Sequence, residues 1–194
     1  MDAEHVIRTR VADVFSQVLG ASSGEDQAEA LKAVVTEENA STLASLVYFV
    51  DVDLARPGFD IPVARAILRA MHPGTRTLCR FIANQTEANY AGAEIGAGGA
   101  LLLARDLQHG PASSSLDSIV LSDNDLGKDG AVAISEALNV NASLTKLKLA
   151  NFELPIDVLK TAAEVNLRNK KLTDLDAIVI ATCMNVNASM KSLK

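Results

Sequence analysis

Between residues 116 and 144 the apolar positions change their spacing once. Ile119 and Leu121 stand two apart behind Leu116, the interval of a strand with one buried side. After Asn124 and Leu126 the interval lengthens, and Ala131, Ile134 and Leu138 fall three or four residues apart on one helical face. A short strand, a turn and a helix are therefore expected within one unit. The unit returns 46 residues later. Residues 130–143, GAVAISEALNVNAS, align with residues 176–189, DAIVIATCMNVNAS, with seven identities. The same register pairs Leu121 with Leu167, Leu126 with Leu172, Leu144 with Met190 and Leu147 with Leu193. An offset held over that length marks an internal repeat.

The remaining chain can be read in the same terms. Leu144, Leu147, Leu149 and Leu154 predict a further strand region. The next strand pattern starts at Ala162, 18 residues after Leu144, which reads as a unit that has lost its helix, and another starts 28 residues later at Met190. Upstream, Ile95, Gly99 and Leu107 repeat Leu126, Gly130 and Leu138 at a spacing of 31, with a weak strand near Ala88 and Tyr90. Asp60 is suited to cap a helix carrying Ile61, Ala64, Ile67, Leu68 and Met71, which His72-Pro73-Gly74 would end. The run TLCRFIAN, 77–84, is a possible strand. Residues 25–54 read as a divergent unit, and residues 3–19 as a helix with Val6, Ile7, Val11, Val14, Phe15, Val18 and Leu19 on one face, suited to cover the open end of a stack. Three sections result: a helical cap over 1–24, divergent helix-rich units over 25–110, and clear units over 111–194.

The segment LDSIVLSDNDLGKDGAVAISEALNVNASL, 116–144, resembles a leucine-rich repeat of the ribonuclease-inhibitor-like class, which also occurs in NOD-like receptors, tropomodulin and the Ran GTPase-activating protein. The likeness rests on the run Leu-x-x-Ile-x-Leu-x-x-Asn-x-Leu-Gly, on Gly130-Ala131 opening a helix, and on Asn-x-Ser-Leu leading into the next strand. It implies an α/β fold, a right-handed leucine-rich-repeat solenoid with short parallel strands on the concave side, helices on the convex side and a helical N-terminal cap. In such a unit the amide of Asn124 can bond the unpaired peptides of a neighbouring turn. Phe152 and Lys170 stand where the pattern places that Asn, so their turns should be shaped differently.

Composition narrows the function. Apolar residues make up 48% of the 194, charged residues 22%, and there is no Trp. Thirty alanines and 24 leucines favour helices packed through small side chains, a scaffold more than a ligand pocket. A formal charge of −6 argues against a nucleic-acid or anionic-membrane binder. The apolar stretches at 43–50 and 99–104 are shorter than the roughly 20 residues of a membrane helix, and residues 1–10 lack a secretory core. A soluble, intracellular, cytoplasmic protein is expected, with Cys79 and Cys183 as buried thiols outside any zinc spacing to His5, His72 or His109. The Asn-x-Ser/Thr sequences at Asn39, Asn84, Asn141 and Asn187 then reflect the repeat and not glycosylation.

Nothing in the sequence points to catalysis. The glycine-rich run AGAEIGAGGA, 91–100, departs from a dinucleotide loop at Leu101 and has no Gly-Lys-Ser/Thr. Asp123, Asp125 and Asp129 resemble the start of a calcium loop whose twelfth position is Ile134, without the bidentate glutamate. Ser113, Ser114 and Ser115 have no partner histidine in a nucleophile motif. We expect no enzyme, cofactor, metal or small-molecule substrate. The candidate site is a surface for other proteins, formed by outward strand residues that grow more basic towards the C-terminus: Lys146, Lys148, Asn166, Arg168, Lys191 and Lys194. Asp117, Ser118, Val120 and Ser122 precede them, and Thr145, Ala150, Glu164 and Ser192 lie among them. The last strand pattern stops at Lys194, which leaves an edge for a longer chain or another subunit to complete. The expected function is a non-catalytic interaction or structural subunit of an intracellular multiprotein complex. The alternatives are a GTPase regulator and a cytoskeletal cap of the actin-end type.

Overall fold

The computed structural model of the protein describes residues 54–55, 58–71 and 75–194, together with Thr36. The expected cap over 1–24 and nearly all of the divergent unit over 25–54 lie outside the described residues. Five helices and six short strands follow in chain order: α1 (Ile61–Ala70), β1 (Glu87–Asn89), α2 (Ala97–His109), β2 (Ser118–Val120), α3 (Gly127–Val140), β3 (Lys146–Lys148), β4 (Glu153–Pro155), α4 (Ile156–Thr161), β5 (Glu164–Val165), α5 (Asp174–Val186) and β6 (Ser192–Leu193). The described residues form a mixed α/β fold with parallel strands and, among them, no barrel.

Strands β1, β2 and β3 pair in parallel, with Ala88, Ile119 and Leu147 in one line across the sheet. All three side chains are buried, and their neighbours along each strand are more open, as the two-residue alternation requires. Leu144, Leu149 and Leu154 are buried as well. On the other side of the core α2 packs against α1 and α3, and α3 packs against α5. Leu102, Leu103 and Leu107 of α2, Ile134 and Leu138 of α3, and Val179 and Cys183 of α5 join the strand residues in one apolar core.

The glycines of 91–100 take their meaning from this packing. A Cβ on Gly98 would lie 2.2 Å from the carbonyl oxygen of Phe59, and one on Gly99 would lie 2.4 Å from that of Ala55. The first turn of α2 therefore sits directly on backbone, which excludes any side chain there. Gly130 serves the next interface, where a Cβ would stand 3.0 Å from Ala100 Cβ.

Spacing along the chain is kept. The strands β2, β3, β5 and β6 each begin two residues after Leu116, Leu144, Ala162 and Met190. Two expectations need correction. The unit after β3 does carry a helix, the six-residue α4, preceded by β4 running antiparallel to β3. Leu149–Phe152 form the reversal, with Lys148 opposite Glu153, so a hairpin occupies chain length that a full helix would need. The run 77–84 is not a regular strand either. Cys79 makes only an isolated bridge, because the amides of this run turn to a side chain. The carboxylate Oδ2 of Asp106 accepts from Leu78 N–H at 2.7 Å, Cys79 N–H at 2.9 Å and the Thr77 hydroxyl at 2.6 Å. Asp106 is fully buried on α2 and paired through Oδ1 with Arg105 at 2.7 Å, so one helical side chain supplies the bonds a strand would have given.

Candidate partner-binding surface

Asparagine amides, half-buried at Asn124 and buried at Asn141 and Asn187, hold the units together. Asn124, in the turn after β2, donates through Nδ2 to the carbonyl of Tyr90 at 2.7 Å and accepts from Ile95 N–H at 2.9 Å. It also donates to Leu121 and Ser122, so one amide closes its own turn and the turn of the preceding unit. Asn141 and Asn187, 46 residues apart, repeat a second device. Asn141 donates to the carbonyls of Leu107 and Ser113 beyond α2, and accepts from the amides of Ser143 and Leu144 and the Ser143 hydroxyl. Asn187 donates to Leu159 and Ala162 at the end of α4, and accepts from Ser189 N–H. Both asparagines are buried, so the NVNAS identity reflects packing.

The end of α3 is finished by a cation. Lys160 of α4 donates through Nζ to the carbonyl of Leu138 and, at 3.0 Å, to that of Asn141. Ammonium donors at a helix C-terminus satisfy carbonyls that have no partner in the helix. Burial holds the Lys160 ammonium below the ordinary lysine range, and the Cys183 thiolate opposes that shift. Burial pushes the Cys183 thiol up, and Lys160 opposes that in turn.

The candidate residues fall on two sheets. Lys146 and Lys148 lie on β3. Lys146 stands 3.7 Å from Asp117, with both side chains about half exposed, a pair worth a few tenths of a kcal/mol. Lys148 is half-buried opposite Glu153. Asn166, Arg168, Lys191 and Lys194 surround the separate β5–β6 pair and are all exposed. Asn166 also has a local task, since its Oδ1 accepts from Arg168 N–H at 3.1 Å and shapes the turn after β5. Strand β4 fills the position beside β3, so the strand ladder does not run on from Lys148 to Arg168. The structure thus brings four of the six together and sets Lys146 and Lys148 apart from them.

The other sequence candidates resolve into structural tasks. Ser113 lends its carbonyl to Asn141 and Ser143, and Ser115 donates to the carbonyl of Gln85. Cys79 and Cys183 are both buried. Among the described residues no group of three or more His, Cys, Asp or Glu side chains is placed to hold a metal ion. No helix among them is long and apolar enough to cross a membrane. A groove of about 420 Å³ runs over Leu101 between α1 and α3, walled by Leu68, Met71 and Ala133, with Arg105 and Glu136 on its rim.

Sequence reasoning missed Asp106 and Lys160. Asp106 carried a signal, an acid one residue before Leu107 that follows the apolar run of residues 100–104 in the same helix. The recurrence of Asn141 at Asn187 was visible, but not the carbonyls it reaches. No family model matches this chain, and no curated protein matches it.

Proposed function

We propose that the chain is a short leucine-rich-repeat solenoid of the ribonuclease-inhibitor type that serves as a non-catalytic binding scaffold in a multiprotein complex inside the cell. One observation carries the reading. Bonds between neighbouring units recur at nearly constant separations: 34 residues for Asn124 to Tyr90 and for Asn141 to Leu107, 30 for Ser143 to Ser113, and 28 for Thr145 to Asp117 and for Asn187 to Leu159. A row of units bonded mainly to their neighbours, with α3 also meeting α5 past the short α4, presents a long surface for its size, and such surfaces bind proteins. Lys146, Lys148, Asn166, Arg168, Lys191 and Lys194 are the side chains through which this scaffold meets its partner. The few aromatics suit a polar or small-residue interface, or one fixed permanently in an assembly.

Native mass in an extract of the source, with identification of what migrates alongside, tests the reading. A large assembly with other polypeptides in fixed proportion is expected. Migration alone near 20.5 kDa would remove the permanent-subunit reading.

A further inference from the structure

The charge of this chain is distributed unevenly. Residues 1–53 carry ten acidic and three basic side chains, a balance of −7, and residues 54–194 carry fourteen acidic and fifteen basic, a balance of +1. Within the second part the cations collect at one place. Arg168, Lys170 and Lys171 lie in the turn that leaves β5. Lys191 and Lys194 flank β6, and the backbone ties them to that turn: Lys194 N–H donates to Val165 at 3.0 Å, its carbonyl accepts from Leu167 N–H at 2.6 Å, and Lys191 N–H donates to Ala163 at 2.7 Å. Five cations thus share one short pair of strands, against Glu164 on β5 and Asp174 at the start of α5. Among the described residues none of the five makes an ion pair within 4.0 Å, although Lys170 lies over the Phe152 ring.

The point at which the acidic segment joins the described residues and the basic cluster lie at opposite ends of the helix row. Packing runs from α1 to α2, α3 and α5. Residues 1–53 join the described structure at Leu54, whose N–H donates to Leu78 O beside the α1–α2 end, and the basic cluster lies beyond α4 with α5 and β6. Beside the cations, Leu193 of β6 is 41% exposed and Val186 at the end of α5 is 49% exposed, so an apolar contact accompanies the charge.

We propose that the basic end formed by Arg168, Lys170, Lys171, Lys191 and Lys194 docks the acidic segment 1–53 of a second copy of this chain, giving head-to-tail self-association. The inference rests on the reading of the chain as a row of units with two distinct ends. Opposite ends that differ in charge make a heterologous contact, which propagates and does not close on itself as a two-fold dimer does. Charge complementarity steers the encounter, and salt weakens it.

The test uses the purified 194-residue chain in sedimentation velocity over a range of concentrations. At about 20 mM salt the average mass should climb with concentration past the dimer, and at about 500 mM salt association should weaken at least about tenfold. Two charge-reversed variants sharpen it. The pair Lys191→Glu and Lys194→Glu leaves three cations against four carboxylates at the basic end, counting Glu164 and Asp174, and so makes both ends acidic. The fivefold variant Glu25→Lys, Asp26→Lys, Glu29→Lys, Glu37→Lys and Glu38→Lys takes residues 1–53 from −7 to +3 and makes both ends basic. Each alone should lose association by at least about tenfold, and an equal mixture of the two should recover it. Far-UV circular dichroism unchanged from the parent shows that each variant is folded. A parent chain that stays monomeric at low salt, variants that associate as well as the parent, or a mixture that fails to recover each overturns the proposal. So does a monomeric parent whose basic end binds a poly-glutamate peptide, which would assign that end to an acidic partner of another kind. A heteromeric complex in extract from a chain that does not self-associate would overturn this inference and leave the proposed function standing.

Discussion

Residues 87–149 and residues 150–165 solve the same problem in different ways. In the first region β1 and β2 each lead through a turn to a helix of 13 or 14 residues, and the amides of Asn124 and Asn141 bond the second of these units to the first. In the second, Phe152 occupies the turn position that Asn124 holds one unit earlier. A phenyl ring cannot bond peptide groups, so the chain reverses into the β3–β4 hairpin, where the strand ladder satisfies the backbone. The helix that follows has only six residues. Lys160 of that helix then finishes α3 with a charge. The contrast teaches that an asparagine amide and a hairpin are two ways of satisfying the backbone at this turn, while the unit of Lys170 keeps strand, turn and the 13-residue α5 with neither.

The largest expected effect tests the two homologous asparagines. Asn141 makes five side-chain bonds and Asn187 makes three. Replacing Asn141 by Ala leaves buried carbonyls and amides unpaired and should lower stability by about 3 kcal/mol, with roughly half that for Asn187→Ala. Urea midpoints of the two variants give the comparison directly. Equal losses would show that the shortened unit relies on its asparagine as much as the regular one does, and would break the contrast.

Next in size is Asn124→Ala, expected to cost about 2 kcal/mol because one amide serves two turns. Phe152→Ala, at the matching position of the irregular unit, removes only a half-buried ring and should cost about 1 kcal/mol. Hydrogen exchange adds a second readout. The amide of Ile95, which donates to Asn124 Oδ1, should lose protection in Asn124→Ala and keep it in Phe152→Ala. Protection unchanged at Ile95 would mean that the Asn124 amide is not what holds the neighbouring turn.

These contrasts follow how far the sequence could be read. The 46-residue match and the two-to-3.6 change of spacing placed β2, α3, β3, β5, α5 and β6, because apolar periodicity is set by neighbours close in the chain. The departures at Phe152 and Lys170 were visible too, but not their consequence. A hairpin depends on pairing β3 with β4, which no local spacing encodes. Leu78 and Cys79 read as strand for a related reason. Their amides are taken by Asp106, 28 and 27 residues away, a tertiary bond that overrides local preference. Of the surface, the basic drift towards the C-terminus was legible. The separation of Lys146 and Lys148 from Arg168 and Lys194 was not, since it comes from β4.

Lys160 offers a pH test of the irregular unit. Held below its ordinary 10.5, it makes the unfolded chain bind more protons than the folded one in the window just below 10.5, so this group makes stability rise with pH there. Cys183, held above its ordinary 9.0, keeps a proton the unfolded chain has lost, so it makes stability fall as pH rises from 9.0 to its folded value. The two oppose each other. Lys160→Met should cost about 1.5 kcal/mol at neutral pH through the orphaned carbonyls of Leu138 and Asn141. It should also leave the Cys183 contribution uncompensated, so that urea midpoints fall more steeply between pH 9.0 and 10.5 than in the parent. Parallel pH profiles for parent and variant would show that Lys160 does not titrate differently on folding.

The smallest effect concerns the two residues that replace the expected asparagines. Lys170 Nζ stands 5.1 Å from the centre of the Phe152 ring, so the two irregular turns meet through an ammonium on an aromatic face. Lys170 is exposed, which sets the coupling near the low end for such contacts, about 0.5 kcal/mol. A double-mutant cycle of Lys170→Gln with Phe152→Leu isolates that pairwise part. The charge, and not the carbon chain, should carry it, so Lys170→Arg should retain the coupling and Lys170→Gln should lose it. If Lys170→Gln alone matches the parent and the cycle closes at zero, the β3–β4 hairpin and the turn after β5 are held independently. The irregular unit would then join the second sheet through the packing of α4 on α5, the backbone and the amide of Asn187, with no part played by the two irregular turns.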